Sequence, residues 1–431
     1  MSFSNLLPLH GPAQLPEANL QFARSLEILV LQPTPFCNLD CDYCYLSQRD
    51  VIGRMSIETI RDAVRLVIDG GLVEDHLSVV WHAGEPLVLS TDYYSEAFAA
   101  IENVVQQKFR VSHSFQTNGT RIDDNWCEFL KRHDTRIGLS IDGPAFLHDL
   151  HRKTRQGKPT HALTMLGVQK LREYKIPFHV IAVVSLDSLD HAGAIFRFFE
   201  ELDVEEIGFN VEELEGDHEN SSLTAEGVEA RLDNFWQRLY ELYESSGRRV
   251  RIREFQRATS AILAASEGLS WRDVAAQNDQ VLPFRILSVD WQGRISTFSP
   301  ELLGVCDRNY DDFSFGRVGR DSLVSIQTSP TLQRVAREVS IGVHECSRSC
   351  EYFSVCGGGS PSNKYFENGS FMSTTTMYCR SSIQLPIKTV LSGLERQLQL
   401  DRPYTSGIFG RFSVFRRTPP GRSHRILPDQ S

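Results

Sequence analysis

The sequence predicts an α/β protein, a partial (β/α)6 TIM barrel followed by a smaller C-terminal domain rich in cysteine. Three observations predict it. Short apolar runs alternate with amphipathic stretches from about residue 25 to residue 250, as parallel strands joined by right-handed helical crossovers do. The alternation then fails. Beyond it lie five of the chain's nine cysteines, all within residues 306–379.

The first strand is Glu27–Leu31, an apolar run of the kind a strand buried on both faces shows. Ser56 is placed to cap a helix with apolar residues at Ile57, Ile60, Val64 and Val67, and Gly70-Gly71 stops it. The later strands are Leu77–Trp81, Val111–Gln116, Arg136–Ile141, Pro177–Val184 and Glu206–Val211. Their helices fall near Tyr93–Val105, Asp123–Arg132, Ala162–Glu173, Leu189–Leu202 and Ala225–Glu244. Six units rather than eight leave the barrel open on one side, with its chemistry expected at the C-terminal ends of the strands. Ile286–Asp290 and Ile295–Phe298 flank the turn Trp291-Gln-Gly293 and read as a hairpin. The expected divisions are an N-terminal arm (1–24), the barrel (25–250), a helical bridge (251–280), the cysteine domain (281–385), and a C-terminal helix with a flexible, arginine-rich tail (386–431).

A chain of 431 residues with 41% hydrophobic and 23% charged residues can bury a large core. Its net charge of −10 argues against sequence-independent nucleic-acid binding, which needs a basic surface. No apolar run is long enough to span a bilayer, and residues 1–20 carry no secretory signal pattern. A cytoplasmic, reducing setting is therefore expected, with the cysteines serving as metal ligands rather than disulfides.

Cys37, Cys41 and Cys44 follow the first strand at the spacing C-x3-C-x2-C, with Tyr43 before the third. Three thiolates would hold three irons of a cubic 4Fe–4S cluster and leave the fourth open to another ligand. A structural zinc knuckle is the alternative reading. His82-Ala-Gly-Glu-Pro86 follows the second strand, Gln116-Thr-Asn-Gly-Thr120 the third, and Ser140-Ile-Asp-Gly-Pro144 with His148-Asp-Leu-His-Arg152 the fourth. The loop and the order of these motifs resemble the radical SAM superfamily. That resemblance implies that S-adenosylmethionine chelates the open iron. It also implies that Ala83, Gly84, Glu85 and Pro86 receive the SAM amino group. Tyr43 and Asn118 then line the SAM pocket, Ser140 contacts the nucleoside and Arg152 pairs with the SAM carboxylate. The chain has Ala83 where the family has glycine. If that position needs a positive φ, Ala costs on the order of 1 kcal/mol. Glu212, at the end of the sixth strand, is the candidate catalytic carboxylate.

Cys346, Cys350, Cys356 and Cys379 form a second, four-ligand set that resembles the SPASM extension and its auxiliary iron–sulfur clusters. Asp321 and Ser360 stand where the full pattern has two further cysteines, so one auxiliary 4Fe–4S cluster is expected, with Cys306 left as a free thiol. Zinc is the rival occupant. Cys127 reads as a buried apolar residue.

Local strings, including Phe209-Asn-Val-Glu-Glu213, Thr297–Gly304 and Cys356-Gly-Gly-Gly359, look like cyclophane-forming peptide maturases of the Gly-rich-repeat type. The resemblance implies a ribosomal precursor peptide as substrate and a carbon–carbon crosslink from an aromatic ring to a β-carbon. It implies a flavodoxin- or ferredoxin-type electron donor. Two alternatives stand beside it. One is a formylglycine-generating anaerobic sulfatase maturase. The other is a non-enzymatic zinc-binding module.

Overall fold

The computed structural model describes residues 20–265 and 268–398. The tail predicted over 401–431 and most of the N-terminal arm lie outside the described residues. Six parallel strands follow one another across the sheet: β1 (Ile28–Leu31), β2 (His76–Trp81), β3 (Arg110–Thr117), β4 (Arg136–Ser140), β5 (Phe178–Val184) and β6 (Glu206–Val211). Each lies within two residues of its sequence-predicted bounds. Apolar residues that are buried on both faces leave little choice of register, and β1 and β2 pair Leu29 with Val79 and Leu31 with Trp81.

The helices begin where the polar caps are. In α1 (Ile57–Asp69) the Ser56 side chain accepts from the Thr59 amide at 3.0 Å. Ser90 does the same for α2 (Thr91–Val105) and Asp123 for α3 (Asp124–Arg132). Such caps are worth about 1 kcal/mol each. A short helix, α4 (Ala145–His151), was not expected; Pro144 opens it and Arg152 ends it. Then come α5 (His161–Glu173), α6 (Ala192–Glu201) and α7 (Val228–Ser245). The last two start three residues later than the pattern predicts, each following a short 3-10 turn, Leu186–Ser188 and Ser222–Thr224.

The core sits between the sheet and this helical layer. Trp81, Tyr94, Phe115, Trp126 and Phe129 interlock edge to face, and Phe209, Phe235, Trp236 and Phe255 form a second aromatic set.

The predicted hairpin forms as β8 (Ile286–Val289) and β9 (Arg294–Thr297), but it does not stand apart. β8 runs parallel to β1, from Ile28 opposite Ile286 to Leu31 opposite Val289. With β7 (Arg251–Ile252) beyond β6 and β10 (Gly316–Arg317) beyond β9, one sheet of ten strands results, in the order β10-β9-β8-β1-β2-β3-β4-β5-β6-β7. The sheet thus continues from the barrel into the C-terminal part. The helix Leu385–Gln397 packs back on α7, and at Gly393 a Cβ would lie 2.3 Å from the Tyr240 ring.

Candidate active site and a second cysteine site

The cysteine loop leaves the C-terminal end of β1, the end where barrel chemistry is found. Arginines fasten its backbone. Arg155 Nε donates to the Cys37 carbonyl at 2.8 Å, and Arg49 Nη1 to the Cys41 carbonyl at 3.1 Å. The Leu39 amide donates to Cys37 Sγ at 3.4 Å. Cys37, Cys41 and Cys44 are free, half-buried thiols. Burial raises the pKa of all three, that of Cys41 to about 12, so they keep their protons until a cation displaces them.

The strand-end motifs gather around this loop. The turn after β2 lies beneath it: the Glu85 amide donates to the Phe36 carbonyl at 2.8 Å. Ala83 has φ of 71° and Gly84 φ of 56°, so the positive φ anticipated at Ala83 is real. At Gly84 a Cβ would lie 2.5 Å from the Thr34 carbonyl oxygen, which explains why glycine is kept there. The Glu85 carboxylate is buried and turned to the protein. It accepts from Thr117 Oγ1 at 2.6 Å and from the Asn118 and Leu87 amides at 2.8 and 2.9 Å. Burial raises its pKa, and these three donors oppose the rise. The Pro86 carbonyl accepts from the Tyr94 hydroxyl.

Asn118 reaches into the loop, donating to Asn38 Oδ1 at 2.9 Å. Ser140 instead bonds within the barrel, accepting from Gln116 Nε2 at 3.0 Å. Arg152 lies close to Tyr43, with its guanidinium 5.4 Å from the ring centroid. Between them stands Asp142, a residue that sequence reasoning quoted within a motif without giving it a role. Arg152 donates Nε and Nη2 to Asp142 at 2.9 and 3.1 Å, the Val183 amide donates at 2.9 Å, and the Tyr43 hydroxyl donates to the same carboxylate. Burial is the largest influence and would raise the Asp142 pKa, but the Arg152 charge, the hydrogen bonds from Arg152 and Tyr43 and the nearby His148 together hold the carboxyl below its ordinary range. Arg152 is thus positioned by a fork onto Asp142.

The Glu212 carboxylate faces its own loop, bonded to His218 Nε2 at 3.0 Å, to the Ser222 amide at 3.1 Å and to the Ser222 hydroxyl. A cluster of carboxylates with raised pKa values begins at the next residue. Burial pushes Glu213 up to about 8 and Glu301 up to about 7, and also raises Glu215. Asn363 Nδ2 donates to Glu213 at 2.8 Å, and the Tyr45 hydroxyl, close to these acids, pairs with His82 Nε2 at 2.9 Å.

The second cysteine set is brought together by three separate turns. Cys346 lies in the last turn of the helix Pro330–Ser349, which Cys350 ends; Cys356 ends Phe353–Cys356; Cys379 opens the wide helical turn Cys379–Gln384. All four line one cavity. The Gly359 amide donates to Cys356 Sγ at 3.2 Å, and Lys364 Nζ to Cys346 Sγ at 3.3 Å. Cys306 is exposed and is not among the cavity's lining residues. Asp321 and Ser360 have other work: Asp321 accepts from the Arg317 amide, and Ser360 caps the helix Pro361–Asn368. Among the described residues, no three His, Cys, Asp or Glu side chains converge tightly enough for a single metal ion. Four thiols around a shared cavity fit a cluster, which spreads its thiolates over separate irons. Cys127 is buried in the core, as expected.

Among the described residues no helix is long and apolar enough to cross a membrane. Residues 31–199 match the model of the radical SAM superfamily. The chain is 40% identical over 377 residues to an uncharacterized protein of Synechocystis sp., covering 86% of this chain and 93% of that one. It is 26% identical over 354 residues to the cysteine-type anaerobic sulfatase-maturating enzyme of Clostridium perfringens, covering 78% of this chain and 88% of that enzyme. Among solved structures, anSMEcpe with bound AdoMet and Cp18Cys peptide superposes with a TM-score of 0.70 at 22% identity, over 87% of this chain and 99% of that one. Streptococcus suis SuiB bound to precursor peptide SuiA gives a TM-score of 0.60 at 16% identity, over 83% and 76%. These two likenesses establish the fold. Residues 31–199 thus carry a radical SAM domain, and the chain is an enzyme that uses a 4Fe–4S cluster and S-adenosylmethionine for a radical modification.

Proposed function

We propose that this enzyme oxidises a ribosomally made precursor peptide, joining an aromatic ring to the β-carbon of a nearby residue in a cyclophane crosslink. The observation that carries this reading is the second cysteine site. It gathers four cysteines in one cavity, while Asp321 and Ser360 do structural work where the SPASM pattern has two further ligands. A single auxiliary cluster separates this chain from the sulfatase-maturase arrangement.

Cys37, Cys41 and Cys44 would hold the SAM-binding cluster, which supplies the electron that cleaves S-adenosylmethionine to methionine and a 5′-deoxyadenosyl radical. The main chain at Ala83–Gly84 would receive the SAM amino group, with Glu85 fixing that turn against β3. Arg152, oriented by Asp142, would face the carboxylate, and Tyr43, Asn118 and Ser140 would complete the pocket. In the crosslink the peptide loses one hydrogen atom from Cβ and one proton and one electron from the ring. Glu213 and Glu301, whose pKa values burial raises toward neutrality, suit the proton. Glu212 holds the loop that carries Glu213. Cys346, Cys350, Cys356 and Cys379 would hold the acceptor for the electron, and a flavodoxin- or ferredoxin-type protein would supply the first one.

The test is co-expression with short peptides encoded beside the gene, read by tandem mass spectrometry. The expected product has lost two hydrogens and fragments as an intact bridged peptide. The relationship to the Clostridium perfringens enzyme favours a second reading, formylglycine formation. A Cys or Ser converted to an aldehyde that captures a hydrazine would establish it instead.

A further inference from the structure

Lys364 is only 1% exposed, the deepest-set charged side chain in the C-terminal part of the fold. A buried ammonium costs several kcal/mol unless an opposite charge compensates it. Its Nζ lies 3.3 Å from Cys346 Sγ. The one acid on its own helix, Glu367, is engaged elsewhere, accepting from the Met377 and Tyr378 amides. The group that meets the Lys364 ammonium is therefore the Cys346 sulfur, and four neutral thiols would leave its charge unbalanced. Gly359 brings the same side chain close: a Cβ there would lie 3.3 Å from Cys379 Sγ and 3.8 Å from Lys364 Cε. The ammonium thus meets the cysteine site at Cys346, from the helix Pro361–Asn368.

We propose that Lys364 is the built-in counter-charge of a cluster held by Cys346, Cys350, Cys356 and Cys379, and that it raises that cluster's reduction potential. This inference rests on the cluster reading of the site. A cubane carrying four thiolates is a dianion when oxidised and gains one further negative charge when reduced. A fixed cation beside one sulfur stabilises the reduced form more than the oxidised form, and hydrogen bonds to the sulfurs act in the same direction. The site is thereby tuned to take the single electron that the peptide gives up when its ring loses a proton. Lys364 is a positioning residue here, acting through the cluster rather than touching the peptide.

The test uses the full chain carrying Cys37→Ala, Cys41→Ala and Cys44→Ala, so that one cluster remains. Iron content and potentiometric titration followed by electron paramagnetic resonance are measured with Lys364, Lys364→Met and Lys364→Arg. The expected result is an iron-loaded Lys364→Met protein whose one-electron reduction is disfavoured at least tenfold, a midpoint lower by about 59 mV or more. Lys364→Arg should recover most of the shift. Iron-loaded Lys364→Met with an unchanged midpoint overturns the proposal. If Lys364→Met holds no iron, iron retained in Lys364→Arg supports the counter-charge role, and loss in both overturns it. A parent protein with zinc or no iron overturns the cluster reading first, and this inference with it.

Discussion

The chain carries two cysteine sites, built in opposite ways. The loop after β1 places three thiols in eight residues of one segment, and its cations fasten carbonyl oxygens rather than sulfurs. The site at Cys346–Cys379 draws four thiols from three turns, and its cation is a buried lysine directed at sulfur. Three ligands would leave an open coordination position, and Asp142, Arg152, Asn118 and the Ala83–Gly84 turn are arranged around the loop. Four ligands close a site, and the charge beside them then acts on its potential. On the proposed reading, the same residue type builds a reactive centre in one place and an electron-handling centre in the other.

The largest effect should separate the two sites outright. Cys41→Ala is expected to abolish 5′-deoxyadenosine formation from S-adenosylmethionine under reducing conditions, assayed by liquid chromatography. Cys356→Ala should still form it while yielding no crosslinked peptide. Equal loss of 5′-deoxyadenosine in both variants would dissolve the distinction.

Next is the pair that orients the open site. Asp142→Ala strands the buried Arg152 guanidinium, and such unpaired charges cost about 3–5 kcal/mol in chemical denaturation. SAM binding should weaken with it. A variant as stable as the parent would show that Arg152 finds another partner.

A smaller effect lies in the turn beneath the loop. Ala83 adopts φ of 71°, so Ala83→Gly should stabilise the protein by roughly 1 kcal/mol or slightly less. Gly84→Ala should destabilise, because its Cβ would lie 2.5 Å from the Thr34 carbonyl oxygen. Thermal melts of the two variants read the opposite signs directly.

The smallest effect concerns the acids at the barrel mouth. Burial raises Glu301 from 4.5 to about 7, so between those values the folded chain binds more protons than the unfolded chain. Stability from this group is therefore lost as pH rises through that window. Glu301→Gln should raise the melting temperature at about pH 8 and change it little at about pH 5. An equal change at both values would place Glu301 in water.

Much of this was legible in the sequence, for reasons that differ by element. Glu206–Val211 is the strand that was predicted to the residue, with buried apolar side chains at every second position, Ile207, Phe209 and Val211. The positive φ at Ala83 was legible because a glycine was missing from a glycine motif. The parallel pairing of β8 with β1 was not, since residues 28–31 and 286–289 share no local signal. Nor was the role of Asp142, whose meaning comes from burial beside Arg152. Nor does the sequence separate Glu212, the candidate carboxylate, from its neighbour Glu213. They part only where the loop folds back on Tyr45, with the Asp217 amide donating to the Tyr45 carbonyl at 3.0 Å.

Iron and sulfide analysis of the anaerobically reconstituted protein tests the contrast most directly, with and without Cys37, Cys41 and Cys44. Two cubane sites predict about eight irons per chain in the parent and about four in the Cys37→Ala, Cys41→Ala, Cys44→Ala variant. Loss of all iron in that variant, or zinc in place of the remaining four, would contradict the account.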